Sequence, residues 1–81
     1  MFTNKAENGT NNICGPNVAA FRKELKISQR ELADMLQRAG LDVGKNAIQR
    51  IECGTGFVTD IELVYLSRVL GKSLDELTRT N

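Results

Sequence analysis

With 81 residues, 41% hydrophobic and 26% charged, the chain has material for one small domain with a modest core. No apolar run is long enough to span a bilayer, and the polar start MFTNKAENGTNN lacks the apolar segment of a secretory signal, so a cytoplasmic protein is expected. The net charge of +1 is unevenly spread: Ile13 to Arg50 holds seven basic residues against four acidic, and Ile51 to Asn81 three against five, the dipolar pattern of a phosphate-facing module.

Met1 to about Asn12 offers little to bury, and a disordered amino-terminal arm over 1–12 is expected, followed by one domain over 13–81. A first helix should open near Pro16, whose missing N–H is harmless in the first turn. Val18, Phe21 and Leu25 form its apolar stripe, with Arg22, Lys23 and Lys26 around it. Ser28-Gln29-Arg30-Glu31 is a capping box that starts a second helix, with Leu32, Ala33, Leu36 and Ala39 inward and Gly40 at its end. Leu41 and Val43 should plug the following corner.

The third helix, GKNAIQRIE from Gly44 to Glu52, buries Ile48 and Ile51 with Ala47 beside them. Its other side carries Lys45, Asn46, Gln49 and Arg50, side chains whose chemistry suits guanine, adenine and phosphate. Cys53-Gly54-Thr55-Gly56 stops it. Thr59-Asp60-Ile61-Glu62 is a second capping box, heading a helix that buries Leu63, Leu66 and Leu70 with help from Val69 and leaves Tyr65 exposed. Gly71 ends that helix, and Ser73-Leu74-Asp75-Glu76 caps a short last one with Leu74 and Leu77. The pattern predicts five helices and no sheet. Two cysteines without a histidine cannot complete a four-ligand zinc site; Cys14 and Cys53 are expected as reduced, buried or half-buried thiols.

The run ISQRELADML, a turn, KNAIQRIECG and then TDIELVYLSRVLGKSLDEL resembles the Cro/lambda-repressor helix-turn-helix (XRE) family from roughly Ile13 to Leu77. The marks are Ser28-Gln29 and Leu32-Ala33, Ile48, Ile51-Glu52 followed by Gly54, and Leu70-Gly71 before Leu77. The resemblance implies an all-α, five-helix lambda-repressor-like domain, with the third helix in the DNA major groove and the second crossing above it. It assigns base contacts to Lys45, Asn46 and Arg50, with Gln49 nearby, and backbone phosphate to Gln29, with Ser28, Arg30 and Gly44 along the same edge. Gly44 stands where the family usually caps with Ser or Thr. Arg22 and Glu52 match a pair that braces the first helix against the end of the third. Three departures stand out. Between Ala33 and Ile48 the chain has about five residues more than the usual family member, around Arg38 to Asp42, so that either the second helix is longer or the turn wider. Lys26 replaces a usual glycine, and Lys72 a usual apolar residue.

No nucleophile adjoins an obvious base and no Gly-rich phosphate loop follows a strand, so neither an enzyme nor a cofactor is expected. The expected function is a sequence-specific DNA-binding transcriptional regulator acting as a repressor. Its partner would be double-stranded DNA carrying an inverted repeat, bound by a homodimer. The rival is a protein-binding module of the same fold, an antitoxin or anti-regulator. Leu74 and Leu77 serve either as the dimer contact, at the carboxyl-terminal end, or as closure of the monomer's own core.

Overall fold

The structure is a computed structural model that describes residues 5–6 and 9–80. Five helices follow one another: α1 (Gly15–Glu24), α2 (Gln29–Ala39), α3 (Lys45–Cys53), α4 (Asp60–Leu70) and α5 (Leu74–Thr78). No strand occurs among the described residues.

All three capping boxes form reciprocally. The Ser28 hydroxyl accepts the Glu31 N–H at 3.0 Å while the Glu31 carboxylate accepts the Ser28 N–H at 2.9 Å. Thr59 with Glu62 and Ser73 with Glu76 repeat the arrangement. Each box satisfies first-turn donors that a bare helix end leaves without partners.

Val18, Leu32, Leu36, Ile48, Leu66 and Leu77 are fully enclosed, joined by Ala33, Ile51 and Leu70. Each large side chain of this kind stabilises the fold by about 1.5–3 kcal/mol. In this arrangement α3 lies against both α1 and α2, α4 packs on α2, and α5 closes against α1 and α4. The Asn17 amide, donating to the carbonyls of Leu77 and Arg79 at 2.7 and 2.8 Å, fastens the end of α5 to α1. Val43 is buried and Leu41 packs on the core, so the corner is plugged as expected. α2 runs for 11 residues, and residues 40–44 connect it to α3, held where the Gln37 amide donates to the Val43 carbonyl at 2.6 Å.

Several expectations need correction. Leu25 is 47% exposed: α1 ends at Glu24, and the chain turns away through Lys26, whose φ of 59° is left-handed. Ala39 is exposed because the last turn of the lengthened α2 runs past the core. Tyr65 is half-buried against the core, with its hydroxyl beside Gly40, rather than exposed. Leu77 closes the monomer's core and is unavailable to a partner, whereas Leu74 is exposed. Cys14 is buried, but Cys53 is exposed, because it falls on the polar side of α3, three residues after Arg50. Of the expected arm, residues 1–4 and 7–8 lie outside the described residues; the stretch 9–12 is not a free tail, since Asn11 and Asn12 are hydrogen-bonded to the end of α3.

Lys72 has a clear place. Its ammonium stands 4.9 Å from the centre of the half-buried Phe21 ring and 3.8 Å from the Glu24 carboxylate. The lysine stem covers apolar surface that a shorter polar residue would leave wet.

Candidate nucleic-acid interface

Burying Ile48 and Ile51 fixes the rotation of α3, and that rotation turns Lys45, Asn46, Gln49, Arg50 and Cys53 to solvent on one face. Among the described residues, none of the side chains of Lys45, Asn46, Gln49 and Arg50 is engaged in a hydrogen bond or ion pair within the chain. Two cations and two amides therefore stand with their donors and acceptors open. Gly44 is the N-cap, in extended backbone and with no side chain to cap. The N–H groups of Lys45 and Asn46 at the start of α3 are thus left for solvent or an anion.

Behind this face the helix is held from both sides. The Arg22 guanidinium grips Glu52 in a fork, Nε to Oε2 at 2.7 Å and Nη2 to Oε1 at 3.1 Å, and its Nη1 donates to the Ile27 carbonyl at 2.9 Å. Gln29 Nε2 donates to Glu52 Oε1 at 3.0 Å, so α1, α2 and α3 meet at one carboxylate. The two charged side chains are only 12% and 8% exposed. Burial alone would raise the Glu52 carboxyl, but the hydrogen bonds from Arg22 and Gln29, helped by the Arg22 charge, hold it below its ordinary value. The hydrogen bond to Glu52 correspondingly raises Arg22. Among the described residues, Gln29 keeps its second amide hydrogen without a partner.

Two asparagines that no periodicity marks, Asn11 and Asn12, hold the opposite side of α3. Asn12 Nδ2 donates to the carbonyls of Ile51 at 3.1 Å and Gly56 at 2.6 Å, while its Oδ1 accepts the Gly15 N–H at 2.8 Å. The Asn11 N–H donates to Gly54 O, and its amide to Thr55 O at 2.9 Å. These bonds satisfy carbonyls that the end of a helix leaves open. They also need close approach. A Cβ on Gly15 would collide with the Ile51 carbonyl oxygen, and Gly54, at φ 86°, would push a Cβ into Thr10. The sequence does hold one local cue: an Asn three residues ahead of Gly15-Pro16 has the spacing of a helix cap accepting an N–H.

Ser28 and Arg30 are exposed at the amino end of α2; the Ser28 oxygen accepts within its capping box, and among the described residues Arg30 makes no ion pair. The loop after α3 folds back on the end of the helix, with the N–H groups of Thr55 and Gly56 both donating to the Arg50 carbonyl at 3.0 Å. Cys53 lies in this turn, its thiol 3.2 Å from the Thr55 hydroxyl, and that contact holds it below the usual thiol value. Among the described residues no acidic, cysteine or histidine cluster could hold a metal ion, and no helix is long and apolar enough to cross a membrane.

A helix-turn-helix family model matches residues 18–77, from the buried Val18 of α1 to the buried Leu77 of α5. No curated protein and no solved structure matched the chain.

Proposed function

Because the chain belongs to the Cro/lambda-repressor-type helix-turn-helix family, a DNA-binding family, we propose that it is a sequence-specific transcriptional regulator that represses by seating α3 in the major groove. The observation that carries this reading is the unpaired polar face of α3, held rigidly from behind by the Arg22–Glu52–Gln29 network. Arg50 and Lys45 offer donors to guanine O6 and N7, and Asn46 and Gln49 match adenine N6 and N7. Gln29, Ser28, Arg30 and the free N–H groups after Gly44 grip phosphates on either side and set the register without reading sequence. A rigid reading helix matters because base recognition requires side chains held within a fraction of an ångström of productive geometry.

One copy carries a single short reading helix and a net charge of only +1. Tight specific binding at physiological salt therefore calls for two copies on an inverted repeat, with their reading helices about 34 Å apart along one turn of duplex. Such a protein works in the cytoplasm, at the nucleoid. The test is footprinting on DNA flanking its own gene, followed by titration over a range of salt. Protection of a two-fold symmetric site, with affinity falling steeply as salt rises, is expected. A flat salt dependence and no protected site would move the function to a protein partner, as in an antitoxin or anti-regulator.

A further inference from the structure

α4 turns Leu63, Leu66 and Leu70 inward and leaves its outer face without a partner. On that face lie Asp60, Ile61, the half-buried Val64 and Arg68, and Phe57 is exposed in the loop before the helix. Ile61 is 63% and Phe57 61% exposed, the two most exposed large apolar side chains among the described residues. Among the described residues neither Asp60 nor Arg68 has an ion-pair partner; Arg68 lies near the Tyr65 ring, 5.9 Å from its centre.

We propose that this outer face of α4 is where two copies of the chain pair, antiparallel about a two-fold axis through Val64. The order of residues carries it. Asp60, Val64 and Arg68 are four apart and lie in one continuous row along the helix. A two-fold axis at Val64 sets each residue opposite its mirror position along the helix. Asp60 of one copy then meets Arg68 of the other, twice, and Val64 meets itself. Opposite charges meet at both ends, apolar groups meet in the middle, and no like charges face each other. This is the self-complementarity that an isologous contact requires.

The area is small. One face of an 11-residue helix is well short of the roughly 1,200–2,000 Å² that stable complexes bury. The pair is accordingly weak in free solution and strengthens when two half-sites hold both copies together. The inference rests on the dimer of the proposed function, but it is tested without DNA.

Sedimentation of the full chain at low salt, up to millimolar concentration, should show reversible dimers. Asp60→Lys and Arg68→Glu should each weaken association at least about tenfold. The double variant should return to within about threefold of the parent, and the two single variants mixed should form heterodimers. Val64→Cys in a Cys53→Ser background, with folding checked by circular dichroism, should oxidise to a symmetric covalent dimer that still footprints. Leu74→Ala should change nothing. A chain that stays monomeric throughout, a double variant weaker than either single one, or dissociation by Leu74→Ala alone would each overturn the α4 pairing. If the pairing fails while the footprint stands, only this inference falls; dimers without sequence preference on DNA remove the regulatory reading instead.

Discussion

Arg22 and Glu52, thirty positions apart, meet in a two-point fork that also binds the turn after α1 through the Ile27 carbonyl and α2 through Gln29. Nearly enclosed, this pair couples stability to the pose of the reading helix. Glu52→Ala strands the guanidinium among buried groups and should cost about 3 kcal/mol in denaturant unfolding. Adding Arg22→Ala should recover part of that loss. Strictly additive losses would mean that the residues are not coupled.

The same carboxylate makes stability depend on pH. Its folded value is depressed below the ordinary 4.5, so its contribution is complete above that value and disappears as pH falls through the lower, folded one. Unfolding free energies of the parent and of Glu52→Gln, followed from pH 7 to pH 3, should therefore converge on acidification. A constant difference would place the titrating group elsewhere.

Arg50→Ala should erase sequence preference more than it lowers overall affinity. A bidentate guanine contact discriminates by roughly 1–3 kcal/mol, and among the described residues the Arg50 side chain has no other partner to lose. Competition between a specific and a scrambled duplex reads this directly. Equal losses on both would make Arg50 a phosphate contact.

Gln29→Ala should act twice. Binding should weaken about uniformly across sequences, because phosphate contacts position without specifying. Stability should also drop, by about 1 kcal/mol, because Glu52 loses one hydrogen bond. Selection from random duplexes, beside a denaturation curve, separates the two effects; a shifted base preference would contradict the phosphate assignment.

Lys26→Gly should raise stability. A non-glycine residue in left-handed backbone costs about 1–2 kcal/mol, and Lys26 sits at φ 59°. Part of the gain is offset by the greater freedom of glycine in the unfolded chain. The net should be about 0.5–1 kcal/mol, a melting point a few degrees higher. An unchanged or lower melting point would show that the lysine side chain contributes more than its backbone costs.

Much of the fold is legible because its signals are local. Ser28 with Glu31, Thr59 with Glu62 and Ser73 with Glu76 announce the starts of α2, α4 and α5 within four residues, and the spacing of Ile48 and Ile51 sets which side of α3 faces out. The family resemblance supplied the Arg22–Glu52 pair, which no periodicity could reveal across thirty residues. Leu25 misled because stripe spacing carries no information on where a helix stops, and α1 stops just before it. Asn12 was illegible for a different reason: its partners Ile51 and Gly56 are 39 and 44 positions away, and a polar residue in an Asn-rich stretch gives no sign of which distant carbonyls it will satisfy. The face of α3 was readable as a face, whereas its anchoring from the amino-terminal side came only with the tertiary structure.

The two thiols have opposite surroundings, and that makes the protein its own chemical reporter. Burial pushes the Cys14 thiol up to about 11 and shuts it away in the core, while Cys53 stands in water, held low beside Thr55 on the side of α3 that faces outward. An alkylating reagent should therefore mark the folded chain once, at Cys53, and mark it twice only when the core opens. Mass spectrometry of a brief pulse would count unfolded molecules without any engineered label, and a duplex seated on α3 would slow the first mark while leaving the second to report the integrity of the fold.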